Sequence, residues 1–417
     1  MTNTTFASLG LSEPLLRALV AENYTTPTPI QVRAIPVLLA GRDLLGIAQT
    51  GTGKTAAFGL PLLQHLSANK VRADHRGTRA LILAPTRELA LQIDASLKTY
   101  GRHLNLRHAV ILGGVNQNPQ VAAMKHGVDI LVATPGRLLD LVKQQHVRLD
   151  GVTALVVDEA DRMLDMGFIK DVRRIVAMLP RKRQSMLFSA TMPDDVVKLV
   201  GDMLHQPERI EVSPPTKTAD MIDQRVIHID QKDKRALLAH LLRDDRFKRV
   251  IVFTRTKHVA NRVSEHLEKA GFSADAIHGN KSQNARQRAL ANFKSGDVRV
   301  LVATDIAARG VDVDDITHVI NFELPNEPES YVHRIGRTAR AGSEGIAISF
   351  CDPSERAYLR DIERLVKRQI SVVPHDLPAG SLSLASANED RHPRRPSERN
   401  YKNPKRRSNF RGNRRAA

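Results

Sequence analysis

Apolar residues fall in short, nearly unbroken runs, separated by longer stretches in which they recur at helical spacing. Six runs lie in the first half, at 43–48, 79–84, 108–112, 129–133, 154–158 and 185–189. They are rich in Val, Ile and Leu, as strands covered on both faces are. Segment 87–100 between two of them carries a helical pattern. Five more runs occupy 249–254, 273–278, 298–304, 317–321 and 345–350. Strands alternating with helices predict parallel α/β architecture. Segment 206–220, containing SPPTKT, separates the two series. Its adjacent prolines and small polar residues predict an exposed connector. The pattern thus predicts α/β domains at 1–211 and 219–372, joined by a linker at 212–218. Beyond 373 it stops: 391–415 holds eleven Lys and Arg against one Glu, with no apolar period. That composition predicts a disordered basic tail over 373–417.

Charge sharpens this picture. Lys plus Arg number 63 against 45 Asp plus Glu, a net +18. Such an excess points to a polyanion, nucleic acid or an anionic surface, although a merely soluble basic protein shares it. One cysteine, Cys351, rules out an intrachain disulfide and fits a reducing compartment. No apolar run approaches the ~18 residues of a membrane span. The opening MTNTTFASLG lacks the form of a secretory signal, so a cytoplasmic location without membrane partners is expected.

The sharpest local signal is AQTGTGKT, which follows a predicted strand and opens a helix. Its residues Ala48, Gln49, Thr50, Gly51, Thr52, Gly53, Lys54 and Thr55 are expected to cradle nucleotide phosphates. The glycines let backbone N–H groups turn inward, and the helix start adds positive potential. Lys54 is expected on the β/γ phosphates and the Thr55 hydroxyl on Mg²⁺. ALVVDEAD then delivers Asp158 to a strand's carboxyl end, where it can hold Mg²⁺ through water. Neighbouring Glu159 can orient and deprotonate an attacking water. In PTPIQ, Gln31 has the chemistry to read adenine, but a turn and helix cap explains the motif equally simply.

Further motifs end strands and open helices. PTRELA offers Pro85 and Arg87, TPGR offers Thr134, Gly136 and Arg137, and Gly113 and Gly114 lie at another strand end. Together they fit one nucleic-acid strand tracked by its phosphates. Ser189 and Thr191 of SAT could bond the acidic cluster and couple chemistry to domain movement, or simply cap a helix. HRIGRTAR places arginines three apart, which on one helix would share a face. Such a face fits a solvated basic surface, or, as the functional reading, Arg337 and Arg340 acting as arginine fingers from the second domain. Asp312 is expected at a ribose hydroxyl, Thr304 at a phosphate, and Gln283 and Arg286 at the nucleic-acid backbone.

With IVFTRT, HGNKSQNAR and ATDIAARGVD, these motifs resemble, in order and over about residues 1–370, the DEAD-box family of ATP-dependent RNA helicases. The wording of the second half resembles the bacterial RhlE-type branch. The resemblance implies two tandem RecA-like domains, ATP and Mg²⁺ as cofactors, and local unwinding of short RNA duplexes or remodelling of RNA–protein complexes. It implies that Phe6 stacks on adenine and that Gln31 reads its edge. It also implies that Ser189 and Thr191 couple hydrolysis to unwinding, and that Asp312, Arg337 and Arg340 complete the site. Pro85, Arg87, Gly114, Thr134, Gly136, Arg137, Arg255, Gln283, Arg286 and Thr304 would line the RNA path. RNA, single-stranded or in short duplex, would be bound with little sequence specificity. Ribosomal precursors and RNA-decay machinery are both compatible partners. Asn23, Asn284 and Ala339 stand where the family or branch usually has Gly, so modest tuning is expected from each. Two alternatives are a DNA-directed motor and an ATP-independent RNA chaperone acting through the tail. Gln31 with the DEAD string favours RNA, and intact Lys54, Glu159 and both fingers argue against a pure chaperone.

Overall fold

The computed structural model describes residues 4–49, 51–212, 222–305, 313, 315–339 and 345–375. The first seven strands are β1 (Leu44–Ile47), β2 (Thr78–Leu83), β3 (His108–Ile111), β4 (Val128–Ala133), β5 (Ala154–Val157), β6 (Gln184–Ser189) and β7 (Glu208–Glu211). They form a parallel sheet in the order β3-β4-β2-β5-β6-β1-β7. The next seven are β8 (Ile222–His228), β9 (Val250–Thr254), β10 (Ala274–Ile277), β11 (Val300–Thr304), β12 (His318–Asn321), β13 (Gly345–Cys351) and β14 (Ser371–Val372). They form a second parallel sheet, β10-β11-β9-β12-β13-β8-β14.

All eleven predicted strands are present; the central ones are buried along most or all of their length, and the edge strands β3 and β10 only in part. β2, β4 and β5 bury every residue. The first sheet separates two apolar clusters. One joins Ile82 and Val156 to Leu60, Leu63 and Leu97 of flanking helices, and the other joins Leu81 and Val157 to Leu138, Val172 and Leu199. Each such leucine contributes roughly 1.5–3 kcal/mol on burial. The predicted helix appears as Arg87–Tyr100, capped by Thr86 Oγ1, which accepts from Leu89 N at 3.2 Å.

Three strands were not anticipated. β7 reads ERIE and buries only Ile210, so at a sheet edge it lacks an apolar run. β8 reads IDQRVIH, with Asp223 exposed and Arg225 half-buried between inward Ile222, Gln224 and Val226. β14 has two residues, and Val373 N–H extends its pairing to Val226 O at 2.9 Å. The connector is therefore shorter than 206–220: β7 pairs with β1, and Val212 N–H still donates to Ile47 O. Residues 213–221 of the expected linker and 376–417 of the expected tail lie outside the described residues.

His318 on β12 offers a test of this packing. Its ring stacks on Phe247, with centroids 3.9 Å apart at 21°. Burial holds its pKa down at about 4, with Arg246, Arg225 and Arg299 adding to the effect and Asp244 opposing it. An unfolded histidine titrates near 6.5, so between about pH 6.5 and 4 the unfolded chain takes a proton that the folded chain refuses. Stability present above pH 6.5 should therefore fall as pH drops toward 4, by on the order of 3 kcal/mol. His318→Phe keeps the stack and removes the titration. Denaturant unfolding from pH 7 to 4.5 should show the variant losing less stability than the parent; parallel curves would clear His318 of the effect.

Candidate active site and nucleic-acid interface

β1 hands the chain to the glycine-containing turn. Ala48 N–H donates to Ser189 O at 3.0 Å, extending the β1–β6 pairing by one residue. The backbone then takes left-handed conformations at Gly51 (φ 84°) and Gly53 (φ 90°), the second capping helix Lys54–Ala68. A Cβ at Gly53 would also stand 2.5 Å from Gln31 Nε2, so glycine is required there twice over. Thr52 Oγ1 donates to Gln49 O at 2.8 Å and braces the turn. Lys54 is buried, and its Nζ lies 3.8 Å from Asp158 Oδ1 without making a hydrogen bond. A buried ammonium lacking an acceptor, at a helix start beside two left-handed glycines, fits a polyphosphate. Thr55 follows on the first turn of that helix, partly exposed, while Thr50 lies outside the described residues.

β5 delivers the carboxylates. Asp158 Oδ1 accepts from Glu159 N at 2.9 Å. Burial pushes the Asp158 carboxyl up to about 6, with Lys54 opposing and Glu159 reinforcing the rise. Glu159 sits at φ 54°, ψ 55°, a left-handed conformation that costs a residue with a Cβ about 1–2 kcal/mol. That turn sets two adjacent acids at the strand end before helix Ala160–Asp165 begins. Glu159 pairs with Arg162 one turn on. Asp161 accepts from Ala190 N (3.1 Å), Thr191 N (2.9 Å) and Thr191 Oγ1 (3.1 Å). Ser189 Oγ accepts from Asp161 N at 3.1 Å and donates to Thr191 O at 2.7 Å. Ser189 and Thr191 therefore join the acidic segment through Asp161, a residue that motif reasoning left without a role.

A cleft of about 490 Å³ lies between the sheets, lined by Lys54, Glu159, Asp161 and Thr191 on one side and Glu327, His333 and Arg337 on the other. The expectation that the HRIGRTAR arginines share a helical face is corrected here. The helix ends at Ile335 with Gly336 as its cap. Arg334 turns inward, donating to both Asp305 oxygens at 2.6 and 2.7 Å and to Glu323 O at 2.7 Å. Arg337 lies past the helix end, lines the cleft, and donates from Nε to His333 O at 3.2 Å. Arg340 and Asp312 lie outside the described residues. Ala339 has φ 55° and Asn23 φ 58°, so both occupy the left-handed region that glycine serves without strain. Asparagine tolerates it better than alanine does. Asn284 is exposed in the first turn of helix Gln283–Ser295.

Gln31 is a capping residue and a neighbour of the glycine turn at once. Its Oε1 accepts from Thr28 N at 2.8 Å and its Nε2 donates to Gly53 O at 3.1 Å. Phe6 packs in the first apolar cluster with Leu9, Leu11 and Ile30, only 5% exposed.

The residues expected on the nucleic-acid path fall into two groups. Arg87, Gly114, Gln283 and Arg286 meet around Glu88, which the sequence reading did not single out. Gln283 Nε2 donates to Glu88 Oε1 at 3.0 Å, Arg286 pairs with the same oxygen at 3.1 Å, and Arg87 donates to Gln283 Oε1 at 3.3 Å. These bonds join the two sheets' domains. Gly114, at φ 69°, leaves room for the Arg87 guanidinium, which a Cβ would meet at 2.1 Å. Arg137 supports the same turn by donating to Val115 O at 3.1 Å. Burial holds the Arg87 guanidinium below its ordinary value, with Arg286 and Arg137 adding and Glu88 opposing. Pro85 and Thr134 are buried beside helix starts, and Gly136 is exposed. In the second group, Thr304 and Thr254 stand side by side at the ends of β11 and β9, with Arg255 next in the chain. Arg255 is held by Glu323 (3.5 Å) and Glu355 (3.4 Å) and lies over the Tyr358 ring.

Residues 28–200 match the family model for DEAD/DEAH box helicases, and residues 233–342 match the helicase conserved C-terminal domain. The DEAD-box ATP-dependent RNA helicase CshA of Bacillus cereus is 44% identical over 367 residues, covering 88% of this chain and 69% of that protein. The ATP-dependent RNA helicase CshA of Listeria monocytogenes is 43% identical over 367 residues, covering 88% of this chain and 70% of that protein. Among solved structures, S. cerevisiae Dbp5 bound to RNA and ADP BeF3 matches with TM-score 0.79 at 32% identity, covering 89% of this chain and 96% of that one. Mss116p bound to ssRNA and AMP-PNP matches with TM-score 0.80 at 29% identity, covering 91% of this chain and 81% of that one.

Proposed function

The chain belongs to the DEAD-box family of ATP-dependent RNA helicases, and on that premise we propose that its interdomain cleft binds and hydrolyses ATP while both domains grip one RNA strand. The observation that carries the site assignment is the buried Lys54 ammonium, without an acceptor, in a cleft whose far wall presents Arg337. The turn 48–55 cradles the phosphates with its backbone, and Lys54 neutralises them. Asp158 and Thr55 are the residues that would hold Mg²⁺, Asp158 through water; two adjacent acids beside one lysine fit a divalent cation. When bound, that ion offsets phosphate charge. Glu159 accepts the proton of the attacking water, its carboxylate placed beside Arg162 by the left-handed turn. Arg337 stabilises charge developing on the γ-phosphate, so hydrolysis requires the closed cleft. Gln31 and Phe6 define the adenine end, and Asp312 and Arg340 complete the second domain's share. Asp161 carries the state of the acidic turn to Ser189 and Thr191.

RNA is gripped through Arg87, Gly114, Thr134, Gly136 and Arg137 on the first domain and Arg255, Gln283, Arg286 and Thr304 on the second, with Pro85 shaping the turn before Arg87. Contact to backbone rather than bases explains low sequence preference. The domains are 1–211 and 219–372, with 212–218 as the linker. Similarity of the second half's wording supports an RhlE-type placement, while the relatives above carry another name; a family tree decides this. Ribosomal precursors or the decay machinery are the proposed settings, in the cytoplasm.

The deciding experiment is steady-state ATP hydrolysis with no nucleic acid, with single-stranded RNA and with matched DNA. Stimulation by RNA alone is expected. Equal stimulation by DNA would overturn the RNA assignment. Removing residues 376–417, with their eleven Lys and Arg, should weaken RNA binding at low salt and flatten its salt dependence. An unchanged salt slope would remove the tail from the RNA contact.

A further inference from the structure

The two sheets have the same strand order, β8 to β14 taking the places of β1 to β7. The second domain therefore has a crevice at the position where the first holds its phosphate turn, outside the strand ends at which connections diverge. The equivalence extends to side chains. Lys54 opens the helix after β1, and Lys234 opens the helix after β8. Asp158 and Glu159 follow β5, and Glu323 lies just beyond β12, its counterpart. In the second domain the lysine is already neutralised: Lys234 Nζ lies 3.0 Å from Asp352 Oδ2 and also pairs with Glu355, both beyond β13. No glycine occurs in the connection from Ile229 to Asp233, so no phosphate-wrapping turn forms there.

The crevice is not filled. A cavity of about 290 Å³ remains, with Lys232, Arg235 and Arg262 on its walls and Val259, Val263 and Phe322 as an apolar floor. Lys232 and Arg262 make no ion pair among the described residues, and both are exposed. Glu323, the acid on the wall, is already bound to Arg255. The volume lies at the small end of ligand sites, too small for a dinucleotide. Cations over an apolar floor match a compact molecule with one charged end and one weakly polar body.

We propose that this crevice is a second ligand site, binding a small phosphomonoester of about one sugar unit, its phosphate between Lys232, Arg235 and Arg262 and its body on Val259, Val263 and Phe322. Lys234 is excluded from the contact because Asp352 and Glu355 occupy its ammonium. The site is separate from the interdomain cleft, sharing no lining residue with it.

The test titrates ribose 5-phosphate into the full chain by calorimetry, with the interdomain cleft first saturated with ADP and Mg²⁺. Saturable binding is expected, and Lys232→Glu with Arg262→Glu should weaken it at least about tenfold. ADP affinity, measured separately, should not change, because neither residue lines that cleft; the same titration shows that the variant is folded. Binding that survives the charge reversal would overturn the proposal, as would no saturation up to about 20 mM, a value near the floor of measurable affinity. Displacement of ribose 5-phosphate by single-stranded RNA would instead assign these cations to the nucleic-acid path, and would likewise overturn it.

Discussion

Glu159→Gln should leave ATP and RNA binding within about threefold of the parent and reduce RNA-stimulated turnover by about a hundred- to ten-thousandfold, the usual worth of a positioned general base. The amide matches the carboxylate in size and can keep a hydrogen bond to Arg162, so the turn after β5 should survive. What it cannot do is accept a proton at neutral pH. Binding without turnover should hold the cleft shut, so RNA should leave the variant much more slowly with ATP than with ADP. Single-turnover hydrolysis and RNA dissociation, measured on the same preparation, check both halves. A loss of less than about tenfold would move the general base elsewhere, since proton transfer to a positioned base carries more than that.

Arg337→Ala should lose about a thousandfold or more in turnover, the scale of an arginine finger acting on the γ-phosphate. It lines the cleft from the second domain and is held by the His333 carbonyl just beyond a helix end. Its charge therefore reaches the nucleotide only when the domains meet. Nucleotide affinity without RNA should barely change, whereas the RNA-stimulated rate should collapse. Comparing Kd for ADP with kcat separates the two. A large loss of nucleotide affinity with preserved kcat would mean that Arg337 binds the ground state and is not a finger.

What the sequence made readable follows from how each residue does its work. Central strands announce themselves because both faces are covered, whereas β7 and β8 do not, because Glu208, Asp223 and Arg225 face outward. The glycine turn before helix Lys54–Ala68 was readable because its two glycines take the left-handed conformations that the motif requires. Asp161 and Glu88 were not, since their importance lies in distant partners: residues 190 and 191 for one, 283 and 286 for the other. The third acid of DEAD was a usable signal for Asp161. The arginine spacing misled because the helix ends at Ile335, between Arg334 and Arg337, so the two do not share a helical face. Gln31 shows the limit of either/or reading: it caps its helix and touches Gly53 with the same amide.

The meeting at Glu88 has an energetic consequence. Arg87, Arg137 and Arg286 crowd the junction, and the acids there are Glu88 and, at 3.7 Å from Arg137, Asp140. Bringing the domains together sets Arg286 near Arg87, and Glu88, which pairs with Arg286 across the junction, offsets only part of that positive charge. On the RNA path proposed above, a phosphodiester strand laid across the junction would supply the remaining counter-charge, acting as a cohesive filler between the domains as well as cargo.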